Sequence, residues 1–203
     1  MLHTKQIKIL SNRRNLEMIK NYLKSKLNVV SDIIAQSGAP IGVRLLKTHY
    51  KIEAFRDGKL LWTEEFDNLV VDEGLDDSLD KHLLGSGYTA AWYVGLADAS
   101  PSFAAGDDMS SHVGWVELTD YDEADRQTLT LGAVSGQSVD NSGSVAVFTI
   151  DNTATFGGAF VVSDDTKGGS SGILYGGGVF TQDRALIDND VLNVTITCTA
   201  AAS

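Results

Sequence analysis

From about residue 47 onward, apolar residues fall at every second position in short runs, and each run ends in a cluster of Gly, Asn, Asp or Ser. A chain patterned this way can bury one face of each run by stacking antiparallel sheets. The clearest run is "SVAVFTI", where Val145, Val147 and Thr149 point one way and Ala146, Phe148 and Ile150 the other. "DVLNVTITC" sets Leu192, Val194, Ile196 and Cys198 on a single face. The other expected strands are "THYKIEAF", "LLWTEEF", "AAWYVGLA", "GWVELT", "QTLTLGAV", "GGAFVVSD" and "SGILYGGGVF". Between the first two, "RDGK" puts Asp57-Gly58 at the centre of a hairpin turn. With 20 glycines and two prolines, the turns are made mostly by Gly, Asn and Asp. The pattern predicts a mainly β body over residues 47–203, an antiparallel β-sandwich of jelly-roll-like path. No repeat of fixed period is visible, which argues against a solenoid or propeller.

Helical spacing is confined to three places. Residues 12–27, "NRRNLEMIKNYLKSKL", carry Leu16, Ile19, Leu23 and Leu27 on one stripe, with Ser11 or Asn12 as the cap. "NVVSDIIAQSG" adds Val30, Ile33 and Ile34 and ends at Gly38. Residues 1–46 therefore read as a basic helical arm. An isolated helix of this length is marginal in water, so these seven apolar residues are the expected interface. Within the body, "DEGLDDSLDKHLLG" places Leu75, Leu79 and Leu83 on one face of a short helix over about 72–84, closed by Gly85.

Charge divides the chain in the same place. Residues 1–60 hold 12 of the 16 Lys and Arg against four acids, a balance of +8; residues 61–203 hold the other four against 23 acids, a balance of −19. An acidic body repels phosphate, and the cations are not interleaved with an aromatic platform, so no direct nucleic-acid contact is expected. The arm's basic charge reads either as a contact with something acidic, such as another copy's body, or as a solvated charged helix. No apolar run reaches the ~18 residues of a membrane span. The N-terminus lacks the apolar core and cleavage site of a secretory leader. Cys198 is the single cysteine; it cannot form an internal disulfide and fits a reducing cytosol.

"FAAGDDMSSHVGWVEL", residues 103–118, gathers Asp107, Asp108, Ser110, Ser111 and His112 as a site for metal or hydrolysis would. His112 has no second histidine near it in sequence, the spacing is not that of a zinc helix or calcium hand, and "MSSH" is no nucleophile elbow. The favoured reading is a turn whose carboxylates and hydroxyls satisfy backbone donors before the strand at Gly114. "KGGSSGILYGGG" lacks the Gly-Lys-Ser/Thr and the following helix of a phosphate loop, and its glycines read as bulges or close approaches. "DNSG" and "DNTATFGG" read as Asx turns rather than calcium ligands. Cys198 reads as a small core residue. No catalytic residue, metal or cofactor is expected.

The blocks "WTEEFDNLVVDEGLDDSLDKHLL", "AAWYVGLADASPSFAAGDDMSSHVGWVELTDYDEADR", "SVDNSGSVAVFTIDNTATFGGAFVV", "GILYGGGVF" and "DVLNVTITCTA" stand in an order that resembles a family of virion proteins of tailed bacteriophages, the capsid cement or decoration proteins. The resemblance spans roughly residues 50–200, with the arm outside it. It implies a β-sandwich body without catalysis and symmetric assembly on the particle; the leading expectation is a cement protein on the capsid exterior, synthesised in the host cytoplasm. The implied partners are the major capsid protein and further copies of the chain, with no membrane contact. It also implies that the 103–126 block is a structural loop and strand. There, Trp115, Tyr121 and Arg126 serve as anchors, with Arg126 forking onto an acid such as Asp122. Two other functions use the same body. One is a neck, tail or baseplate component. The other is a carbohydrate-binding jelly roll, whose signature is Trp92 or Trp115 exposed beside acids.

Overall fold

The computed structural model of the protein describes residues 45–87 and 91–201. The expected helical arm, with Leu16, Ile19, Leu23, Leu27, Val30, Ile33 and Ile34, lies outside the described residues. What is described is mainly β, with two antiparallel sheets and one short helix. The first sheet is built from β1 (Leu45–Arg56), β2 (Lys59–Asp67), β7 (Ser138–Asp140), β8 (Ala146–Thr149) and β11 (Val191–Ala201), in the order β2-β1-β11-β7, with β8 also on β11. The second holds β3 (Leu69–Val70), β4 (Tyr93–Asp98), β5 (Glu117–Leu118), β6 (Gln127–Thr128), β9 (Ala154–Val162) and β10 (Leu174–Leu186), in the order β3-β10-β9-β4-β5, with β6 also on β4. These orders define an antiparallel β-sandwich; the jelly-roll path is a finer statement than they make.

The alternation seen in sequence becomes the division between core and surface. Tyr50, Ile52 and Ala54 of β1 and Leu192, Val194 and Ile196 of β11 turn inward. They meet Val94 and Leu96 of β4 and Phe156, Ala159 and Val161 of β9. Ala146, Phe148 and Ile150 enter the same core, while Val147 and Thr149 stay half-buried. The outer face of the first sheet is polar. His49 stands opposite Asp67, and Lys51 opposite Glu65. The β1–β2 hairpin turns at Asp57 (φ 49°) and Gly58 (φ 72°), the doubly left-handed turn that matches strand twist.

Several expected strands are shorter than their sequence runs. "GWVELT" forms only the two residues of β5, and "QTLTLGAV" only Gln127 and Thr128 of β6. Both are edge pieces on β4, which they share along its length. Leu129 still donates to the Trp92 carbonyl at 2.8 Å and enters the core, but beyond it the chain has no further partner on β4. By contrast "SGILYGGGVF" extends to Leu186, and its glycine run is explained by neighbours: a Cβ on Gly177 would lie 2.2 Å from the Phe103 ring, and one on Gly178 2.5 Å from the Phe66 ring. The register of β10 also shifts between Leu174 and Gly176. The helix α1 (Asp72–Leu79) runs on as a wider π-helical turn over Asp80–Leu84 and stops at left-handed Gly85 (φ 68°).

Candidate functional site

The second sheet is buried on both faces, because of the segment that suggested chemistry. Phe160 and Val162 of β9 point away from the main core into a smaller one with Val71, Met109, Trp115 and Leu174. The loop over 103–118 closes this core. Trp115 is 4% exposed, and its ring lies 4.8 Å from Phe103, 4.8 Å from Phe160 and 3.9 Å from the stacked His112 imidazole.

Asp107, Asp108, Ser110 and His112 are all engaged in holding that geometry. Asp107 accepts from the Ala104 N–H at 2.9 Å and from the Trp115 indole N–H at 3.1 Å, so the indole is buried with its donor satisfied. Asp108 accepts from the Ser110 N–H and hydroxyl at 2.7 and 2.6 Å, and these bonds hold its carboxyl below the usual aspartate range. His112 Nδ1 lies 3.1 Å from the Trp115 carbonyl. The carboxylates thus point into the loop's own turns rather than towards a shared centre. Among the described residues, no three His, Cys, Asp or Glu side chains converge as a metal site requires.

Behind the loop stands an ion pair that sequence reasoning assigned differently. Arg126 has no exposed side-chain surface and forks onto Glu117, Nε to Oε1 at 2.9 Å and Nη2 to Oε2 at 2.7 Å. Asp122 is not its partner. Asp122 lies in an exposed turn where its N–H bonds the Thr149 carbonyl, whereas Glu117 comes from β5 on the inner side of the same loop. The remaining guanidinium donors reach the Asp164 carbonyl at 2.9 Å and the Gly169 carbonyl at 2.7 Å, and the Gly168 N–H returns to Glu117 at 2.9 Å. The "KGGSSG" loop is therefore wrapped around a buried ion pair. The parity of "WVE" was the available signal for Glu117: it shares a strand side with Trp115.

Tyr121 is fully buried and packs edge-on against Phe148 at 5.0 Å, with the Lys167 ammonium 4.4 Å from its ring centre. Its hydroxyl has no hydrogen-bond partner among the described residues, and burial raises its pKa. Two further ion pairs were not foreseen. Arg56 forks onto Asp190 at 2.7 Å through both Nε and Nη2, and Arg184 pairs with the buried Glu64. In "DNSG", Asp140 accepts from the Ser142 N–H at 2.8 Å as an Asx turn does, and fully buried Asn141 bonds the Val194 carbonyl and the Ile196 N–H.

One cavity of about 190 Å3 opens between the sheets, lined by Thr48, Trp92, Leu129, Val161, Tyr175 and Cys198 among others. Burial pushes the Tyr175 hydroxyl up to about 12 and also raises the Cys198 thiol, which lies 3.9 Å from the Thr48 hydroxyl. Trp92 is half-buried and packs edge-on against Tyr175 at 5.5 Å. With Trp115 buried as well, neither indole presents the fully exposed platform a sugar-binding site calls for.

Helix α1 carries its apolar stripe on the surface. Its only buried residue is Gly74, whose Cβ would lie 2.3 Å from the Tyr175 carbonyl oxygen. The helix thus sits on β10 through a glycine, and Leu75, Leu79, Leu83 and Leu84 face outward. No described helix is long and apolar enough to cross a membrane.

Together these features define an antiparallel β-sandwich with a loop-and-helix cover over one sheet. Scanned against models of protein families, the chain matches none, and a search of curated proteins finds no match.

Proposed function

We propose that the chain is a structural virion protein that binds the capsid of a tailed bacteriophage from outside and stabilises it as a cement protein, without catalysis or cofactor. Its partners in this reading are the major capsid protein and further copies of itself. The observation that carries it is the use made of "FAAGDDMSSHVGWVEL". The block most suggestive of chemistry spends Asp107, Asp108 and His112 on its own turns and on Trp115. That is the structural role implied by the resemblance in block order. The acidic body supports the same reading, since a strongly negative outer face keeps decorated particles from aggregating.

The test is decoration. Full-length protein added to shells lacking it should cosediment with them and raise their resistance to heat or chelator. Protein that leaves the shells bare, and their melting unchanged, contradicts the reading.

A further inference from the structure

We infer that the leucine face of α1 is the docking surface for the arm, residues 12–27, of a second copy of this chain. The inference deepens the cement reading and rests on it for the reason copies are tied together. Among the described residues, Leu75, Leu79, Leu83 and Leu84 are 40, 55, 73 and 80% exposed. Isolated exposed leucines are ordinary. Here three recur at every fourth position of one helix and form a continuous stripe, with Leu84 beside its end. The stripe is outward because Gly74 has taken the packing position against Tyr175.

Charge decides the occupant. The helix carries Asp72, Glu73, Asp76, Asp77 and Asp80 against Lys81, a balance of −4. Residues 12–27 carry Arg13, Arg14, Lys20, Lys24 and Lys26 against Glu17, a balance of +4. The arm segment also has its own apolar stripe, Leu16, Ile19, Leu23 and Leu27. At ~1.5 Å of rise per residue, Leu75 to Leu83 spans ~12 Å and Leu16 to Leu27 ~16 Å. The two stripes therefore match in length and oppose in charge. The cement reading, in which copies are tied to one another on the shell, assigns the occupant to another copy.

The test uses the full chain in solution without capsids, and reads mass against concentration by analytical ultracentrifugation. Wild type should self-associate. Leu79→Ser with Leu83→Ser should weaken association ~100-fold or more, and so should Leu23→Ser with Leu27→Ser. Mixing these two variants should restore complexes, because the intact arm of one meets the intact face of the other. Asp76→Lys should weaken association while sparing the apolar stripe, and Lys24→Glu in its partner should recover it. A monomeric wild type, a face variant that associates as wild type does, or a mixture that stays monomeric overturns the inference. A protein that remains monomeric yet decorates shells removes the inference and leaves the cement reading standing. One that self-associates but leaves shells bare does the reverse.

Discussion

Arg126 shows how much of this fold rests on single buried charges. Its guanidinium fork is matched on both sides, to Glu117 and to two backbone carbonyls. Removing one partner of such a pair leaves the other buried without compensation, which costs about 3–5 kcal/mol. Arg126→Ala should therefore lose about that much in urea unfolding. Arg126→Lys should recover only part of it, because an ammonium cannot fork. A loss below about 1 kcal/mol for Arg126→Ala would show that the pair is dispensable. Asp190 is the buried carboxylate of an ion pair that contributes to the pH dependence, beside Asp67, Asp108 and Asp140, whose carboxyls are also held low. The Arg56 guanidinium holds the Asp190 carboxyl below the ordinary aspartate value, helped by the Ile187 N–H. Its contribution is fully present above the unfolded-state value of about 3.9 and is lost as pH falls through the lower folded value. Acid unfolding should thus steepen below about pH 4. Asp190→Asn should flatten that limb while lowering stability at neutral pH. An unchanged acid limb in the variant would assign the pH dependence elsewhere.

At the scale of elements, the glycine run of β10 and the 103–118 loop form one device. Phe103 occupies the space a side chain at position 177 would need. Gly177→Ala should lift the loop and cost about 1–3 kcal/mol as overpacking does, with Trp115 fluorescence shifting as the indole gains water. A variant as stable as wild type, with unchanged emission, would mean the loop does not rest on β10. Asp108→Ala and His112→Ala, by contrast, should leave capsid decoration intact, and purified protein should carry no metal. One equivalent of bound metal per chain, lost with His112→Ala, would overturn the structural role given to this loop.

The elements also show where sequence was sufficient. Period-two runs in β8 and β11 divided their side chains into two faces, and packing against the second sheet then decided that Ala146, Phe148 and Ile150, with Leu192, Val194 and Ile196, enter the core. Edge runs such as "QTLTLGAV" carried the same pattern without a partner to extend the ladder. Arg126 was singled out only through the resemblance in block order, and its partner was not legible. Nearness in sequence favoured Asp122, while the fold brought in Glu117 from β5. The leucine stripe of α1 was legible too, but its outward direction was not, because that depends on Gly74 meeting the Tyr175 carbonyl.

At the scale of the molecule, the sandwich has its own core, its own ion pairs and a strand, β1, that opens at Leu45. Residues 45–203 should therefore fold without the arm, with near-native circular dichroism and a cooperative melt. They should bind shells more weakly than the full chain. A truncated protein that decorates as well as the full chain would remove the arm from the account. The central claim is that this protein coats the shell. A cryo-EM map of the intact particle that carries it tests this most directly. The account predicts β-sandwich density on the outer surface, repeated with the symmetry of the shell and in proportion to the major capsid protein. Density confined to a single ring at the neck, tail or baseplate, or none on the particle, would contradict it.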